Sequence, residues 1–200
     1  MKRGFSLVLI MALVIFGLSM SATAQKGKLF KGVDWRSMAD AAKAGKTSPD
    51  QSIIDIVNRA YNEKVPASED AVSANPTGTW YVTVPGETPE STFYAYHTFG
   101  QEGTFVETSS LLATLTEGPA HGVWERRMGG FVLTFELFAF DPESRAQVGR
   151  VRVRNFIVME DRSNFTSNSV VDFIELDGTV IPNIGAGPYS ATRVQLRSIY

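Results

Sequence analysis

The side chains able to do chemistry are few. His97 and His121 are the only two histidines among 200 residues, and neither has a second ligand at a helical or strand spacing that would build a metal site. No metal is therefore expected, and both imidazoles read first as structural or surface groups. His97 is the stronger candidate for a role, because strand parity places it inside a β-structure, where burial would keep it neutral and able to donate to or accept from a ligand. Arg126 falls on an apolar face, where an unpaired charge is costly. It either lies at a strand end and reaches the rim, or anchors an acidic group of a ligand by bidentate hydrogen bonds. Asp172 offers Arg126 another partner if the two meet inside. Nucleophilic catalysis has no visible apparatus, since the chain has no Cys and no Gly-x-Ser-x-Gly elbow. Neither Gly-x-Gly-x-x-Gly nor a phosphate-cradling Gly-rich Lys motif occurs, so no nucleotide cofactor is expected. No catalytic residue and no cofactor is assigned.

From Gly78 onward the apolar pattern has a period of two, and β-rich runs are separated by turn signals at fairly even intervals. Eight strands are expected, near residues 78–84, 92–99, 104–109, 122–127, 131–140, 147–159, 164–176 and 188–197. Gln101-Glu102-Gly103, Gly129-Gly130, Asp141-Pro142-Glu143-Ser144, Asp161-Arg162-Ser163-Asn164 and Asp177-Gly178 supply the turns. Such short links imply neighbouring antiparallel strands. A sandwich or a closed up-and-down barrel would serve; the barrel is favoured, because closure removes exposed edges and leaves room for one small ligand.

A two-residue turn fixes which residues stand opposite each other. With Gly129-Gly130 as such a turn, Trp124, Arg126 and Met128 share the inward face with Phe131, Leu133, Phe135 and Leu137. With a turn around Glu102-Gly103, Phe93, Ala95, His97 and Phe99 lie inside with Val106 and Thr108, and Tyr94, Tyr96 and Glu107 lie outside. Arg150, Arg152 and Arg154 alternate along one strand and are expected to face solvent. Pairing across 161–164 sets Arg150 against Glu175 and puts Ile157, Thr166, Asn168, Val170, Asp172 and Ile174 inside. Trp124, Phe135, Phe99 and Phe131 suit the lining of a mostly apolar pocket with few polar groups, or the packing of a filled core.

Gly78-Thr79-Trp80 at the start of the first strand, eight strands in meander order, and Arg193 in the last strand resemble the calycin superfamily, the lipocalins and their relatives. The resemblance covers roughly Gly78 to Arg197. It implies that Arg193 packs across Trp80 to close the base of the barrel, and it names no ligand.

Residues 1–24 read as a secretory signal peptide. Lys2 and Arg3 precede an apolar stretch with ten uninterrupted apolar residues, Leu7 to Phe16, followed by small residues ending Ala22-Thr23-Ala24. A cleaved, secreted or periplasmic protein is expected, with no membrane anchor after cleavage. Residues 25–77 read as a helical leader and linker: Ser48 caps, Pro49 suits a first turn, and Ile53, Ile56, Val57, Ala60 and Tyr61 share one face of a helix over about 49–63. Residues 64–77 read as linker, and 78–200 as the barrel domain. Residues 1–24 hold two of the 19 basic residues and none of the 21 acidic ones, so the remainder carries four net negative charges. That balance gives no electrostatic case for nucleic acid.

The expected activity is binding of a small apolar or amphipathic molecule inside the barrel, with His97, Phe99, Trp124, Arg126, Phe135, Asn168 and Asp172 as ligand contacts and Trp80 and Arg193 closing the base. The alternatives are a cofactor-independent cyclase or isomerase that uses the barrel as a reaction chamber, with His97 or Asp172 as acid or base, and a cell-envelope interaction module. In the last case residues 25–77 would dock a protein partner, and Tyr94 and Tyr96 would suit an exposed contact surface.

Overall fold

The computed structural model describes residues 33–63, 75–86, 89–127 and 129–195; the expected signal peptide, most of the expected linker and Met128 lie outside them. Two helices precede eight strands: α1 (Trp35–Lys43), α2 (Gln51–Asn62), β1 (Gly78–Val84), β2 (Phe93–Phe99), β3 (Thr104–Ser109), β4 (Ala120–Arg127), β5 (Gly130–Phe140), β6 (Gln147–Met159), β7 (Asn164–Glu175) and β8 (Val180–Arg193). The strands form a closed antiparallel barrel in sequence order, with β1 pairing to β8 through Trp80 opposite Arg193 and Val82 opposite Ala191. Among the described residues no helix is long and apolar enough to cross a membrane.

Seven of the eight strands begin and end within two residues of their expected bounds. β8 starts eight residues earlier than its expected start. The strand carries Pro182 and Pro188, and proline cannot donate to a ladder. The chain accommodates this with a bulge in which Pro182, Asn183 and Ile184 stand against Asp172 alone. Asn183 sits at φ 54°, and its N–H donates to Asp172 Oδ1 at 2.9 Å instead of to a strand.

Both helices begin on an aspartate. Asp34 accepts from the Ser37 N–H at 3.0 Å, and Asp50 accepts from the Ser52 N–H at 2.9 Å; the α2 cap is thus Asp50 rather than Ser48. α2 lays Ile53, Ile54 and Val57 over Val170, with Tyr61 and Phe156 at the edge. It covers the outer face of β6 and β7. Ile54 replaces the expected Ile56 at the centre of that face, Ile56 being only half-buried. α1 turns Trp35 and Ala39 into the main core, which otherwise consists of barrel-interior side chains such as Val82, Phe99, Leu133 and Val151.

The inward faces follow the turns. Between β4 and β5 the strands pair Arg127 with Gly130 and Arg126 with Phe131, two residues away from a turn at Gly129-Gly130. An even shift preserves the faces, so Trp124, Arg126, Phe131, Leu133, Phe135 and Leu137 point inward as expected. The β2–β3 and β6–β7 connections behave otherwise. Gly100 N–H donates to Thr104 O at 2.8 Å around a three-residue loop that ends on Gly103 at φ 81°, a backbone that favours glycine. Glu160 N–H donates to Asn164 O at 3.0 Å around a second three-residue loop. An odd loop inverts the parity of the following strand relative to a two-residue turn. The consequence for β3 is that Phe105, Glu107 and Ser109 face inward while Val106 and Thr108 face out. In β7, Phe165, Ser167, Ser169, Val171 and Phe173 face inward, and Thr166, Asn168, Val170, Asp172 and Ile174 lie on the outer side. Ile157 is inside as expected.

Candidate functional site

The barrel interior has two ends of different character. At the base, Arg193 lies over the Trp80 ring with its guanidinium carbon 4.2 Å from the centroid. It donates to the carbonyls of Arg162, Thr77 and Asn75 at 2.7, 2.5 and 2.7 Å. Trp80 Nε1–H donates to Pro76 O at 2.6 Å, and its ring meets Phe165 at 4.7 Å. Phe99, Trp124 and Phe131 continue this packing by edge contacts, and Trp124 Nε1–H donates to Gly100 O at 3.0 Å. This end is filled.

Toward the opposite end a cavity of about 110 Å³ opens, walled by Trp35, Phe93, Ala95, Phe135, Leu137, Val153 and Val171 and by the polar side chains of His97, Glu107, Glu117, Asn155, Ser169 and Tyr189. His97 is surrounded by rings, with Phe105, Tyr189, Phe135 and Phe99 at 5.0, 5.6, 6.0 and 6.3 Å between centroids. Gly122 makes part of this possible. It lies between Phe105 on β3 and Phe135 on β5 in the ladder, and a Cβ there would stand 2.6 Å from the Phe135 Cβ. The two rings stack 5.2 Å apart.

Glu107 stands directly across from His97 in the β2–β3 ladder, yet no hydrogen bond or ion pair joins them among the described residues. Glu117 arrives from the connection between β3 and β4. A 3-10 turn, Ser110–Thr114, ends on Leu115 at φ 57°, which reverses the chain so that Thr116, Glu117 and Gly118 run back along the end of β5. The Ser109 hydroxyl donates to Glu117 Oε1.

Burial sets the protonation of this group. It holds the His97 imidazole down at about 3, so the ring is neutral. Glu107 is pushed up to about 8, by burial first and then by the neighbouring Glu117. Glu117 is pushed up to about 7 by burial, against the Ser109 hydrogen bond. The Tyr189 phenol is also raised by burial; Ser167 is near enough to oppose part of that shift without making a hydrogen bond of ordinary geometry. Three buried polar atoms here, His97 Nδ1, Tyr189 Oη and Trp35 Nε1, have no hydrogen-bond partner among the described residues. Native interiors rarely leave such groups unpaired.

Of the residues expected to contact a ligand, His97 and Phe135 line the cavity. Phe99 and Trp124 belong to the packed base. Arg126 is inward and half-buried with its guanidinium 4.8 Å from the Phe131 centroid, but it does not line the cavity. Asn168 is on the outer side, beside an open groove of about 390 Å³ that Phe156, Val158 and Pro188 help to line. Asp172 is also on the outer side, where it accepts from Arg154 Nε and Nη2 at 3.0 and 3.2 Å. Arg154 in turn donates to Asn58 of α2 at 2.7 Å, so this buried pair fastens a helix to the wall. Arg150 and Arg152 do lie outside, but they share Glu136 at 2.6 and 2.9 Å, while Glu175 pairs with Lys43 of α1 at 2.8 Å. The expected Arg150–Glu175 cross-strand pair is therefore absent.

Sequence reasoning missed Glu107, Glu117, Tyr189 and Trp35. Glu107 was recoverable by counting Gln101-Glu102-Gly103 as a three-residue loop with glycine at its left-handed position. Trp35, Met38, Ala39 and Ala42 carry a helical spacing after a capping Asp34. Glu117 has no local signal, because only the reversal at Leu115 brings it inside. Among the described residues no group of three His, Cys, Asp or Glu side chains could hold a metal ion.

No protein-family model matches the chain, and no curated protein sequence matches it. Among solved structures it is similar to the crystal structure of Treponema pallidum Tp0751 (pallilysin), at 13% identity and a TM-score of 0.31, over 75% of this chain and 100% of that one.

Proposed function

We propose that this protein is an exported, calycin-like binding protein that takes a small amphipathic molecule in the cavity beside His97. One observation carries the reading: the cavity is walled mainly by apolar and aromatic side chains while three buried polar atoms around it, on His97, Tyr189 and Trp35, lack partners among the described residues. Apolar walls with a few polar groups are what small-ligand sites consist of. The volume of about 110 Å³ bounds the occupant, since an apolar cavity of about 150 Å³ admits benzene. The ligand is then smaller than benzene, a short chain with a polar end. Export rests on the order of charged, apolar and small residues in 1–24. The calycin assignment rests on Gly78-Thr79-Trp80 and on Arg193 lying across Trp80. Organic extraction and native mass spectrometry of the purified full chain test the binding reading; a protein that carries nothing, and whose tryptophan fluorescence no small amphiphile perturbs, would sink it.

The reaction-chamber alternative keeps one specific support. Two carboxyls lifted to about 8 and about 7 are poised to exchange protons near neutral pH. On that reading Glu107 and Glu117, rather than His97 and Asp172, would be the acid and base.

A further inference from the structure

The cavity holds two buried carboxyls and no lysine or arginine. Its titratable side chains are His97 on β2, Glu107 on β3, Glu117 on the β3–β4 connection and Tyr189 on β8; α1 and strands β5 to β7 present none, and no Lys or Arg lines it. Elsewhere among the described residues the chain pairs the carboxyls it buries. Asp172, 4% exposed, has Arg154, whereas Glu107, 5% exposed, and Glu117, 6% exposed, share their cavity with no lysine or arginine. A buried carboxylate without a counter-charge is costly, so either a proton or a positively charged guest must neutralise the pair.

Resting on the binding reading above, we propose that the guest is a small organic cation, a primary ammonium on a short alkyl body smaller than benzene, with its charge between Glu107 and Glu117 and its body against Trp35, Phe135 and Tyr189. An ammonium group brings three donors and no acceptor. The site answers with acceptors: the oxygens of both carboxyls and a nitrogen of His97, which is 4% exposed with Nδ1 unpartnered. The aromatic walls suit an organic cation, since ring faces attract positive charge. They do not suit a hydrated metal ion, which would demand more oxygen ligands than two carboxyls supply. A carboxylate-bearing guest would meet two acidic groups and no lysine or arginine.

Binding also moves a proton. With both carboxyls lifted toward neutrality, an ammonium entering at about pH 6 displaces a proton, and affinity then rises about tenfold per pH unit until the carboxyls are already ionised.

The test is calorimetry on the full chain with three small probes of similar shape, n-propylamine, 1-propanol and propionate, from about pH 6 to pH 8, within the range where a primary amine keeps its charge. Propylamine is expected to bind at least about tenfold tighter than propanol at the upper pH and to release a proton at the lower, one pH unit of charge preference being tenfold. Glu107→Gln and Glu117→Gln, which keep shape and remove charge, are expected to abolish that preference while propanol binding persists. If propanol or propionate binds as well as propylamine, or if calcium or magnesium binds and displaces it, the cation proposal is overturned and the binding reading stands. If none of the three binds and native mass spectrometry finds no guest, both fall.

Discussion

The two ends of the barrel are built from the same materials with opposite outcomes. At the base, aromatic rings and one arginine leave little unsatisfied: the indole nitrogens of Trp80 and Trp124 and all three guanidinium nitrogens of Arg193 have backbone acceptors. Around the cavity, rings of the same kind enclose a neutral imidazole, two carboxyls and a phenol, and leave three polar atoms unmatched among the described residues. The base is arranged for stability. The cavity end gives stability up, and proteins concentrate such losses where they bind or react.

The largest difference between the ends should appear in their tryptophans. Trp80 is fully buried in packed surroundings, so Trp80→Ala removes the ring and leaves a hole that the base cannot close; a loss of about 4 kcal/mol is expected in denaturant unfolding. Trp35 already borders empty space. Trp35→Ala merely enlarges an existing cavity and should cost about half as much, ~2 kcal/mol. Equal losses would erase the distinction between a filled and an open end.

The buried carboxyls give the next contrast. Asp172 is paired, and Asp172→Ala strands both Arg154, 21% exposed at its side chain, and the Asn183 N–H in the β8 bulge. A loss of about 3 kcal/mol is expected, because breaking a buried pair leaves an uncompensated charge. Glu107 is the opposite case. An unfolded glutamate releases its proton near 4.5, whereas the folded one holds it to about 8. Across that window the folded state binds more protons than the unfolded, so stability falls as pH rises from 4.5 to about 8. Glu117 adds a parallel loss between 4.5 and about 7. Glu107→Gln should leave stability unchanged at the acid end and raise it, on the order of 2 kcal/mol after allowing for water entry, above the folded pKa. Urea titrations across pH decide it; a variant curve parallel to the parent's would mean that Glu107 is not a buried, charge-starved group.

That same carboxyl marks where the sequence stopped being legible. Barrel class, strand number and the bounds of most strands follow from period-two patterning and turn residues, and the Trp80–Arg193 closure is what the resemblance carried by Gly78-Thr79-Trp80 and Arg193 implies. Which face looks inward depends on whether a loop holds two residues or three. The inversion at Gln101-Glu102-Gly103 hid Glu107, and the inversion at Asp161-Arg162-Ser163 placed Asn168 and Asp172 inside when they lie out. Both misplacements concern strands whose two faces are almost equally polar, so hydrophobicity could not correct the count. Glu117 lay beyond any local rule, since its position depends on one residue in a conformation that its type disfavours.

That residue, Leu115, supplies the smallest effect and the most specific one. It is 60% exposed and stands at φ 57°, where a side chain with a bulky Cβ substituent costs roughly 1–2 kcal/mol. Little burial offsets this. Asparagine tolerates the left-handed region far better, so Leu115→Asn should raise stability by ~0.5–1 kcal/mol, read as a higher denaturation midpoint with an unchanged denaturant slope. If the strain serves only to turn the chain, the easier turn keeps Glu117 beside Ser109 and the pH dependence assigned to that carboxyl stays as it was. A variant that gained stability but lost the part of the pH dependence between 4.5 and about 7 would show instead that leucine's reluctance to hold this turn is what presses Glu117 into the cavity.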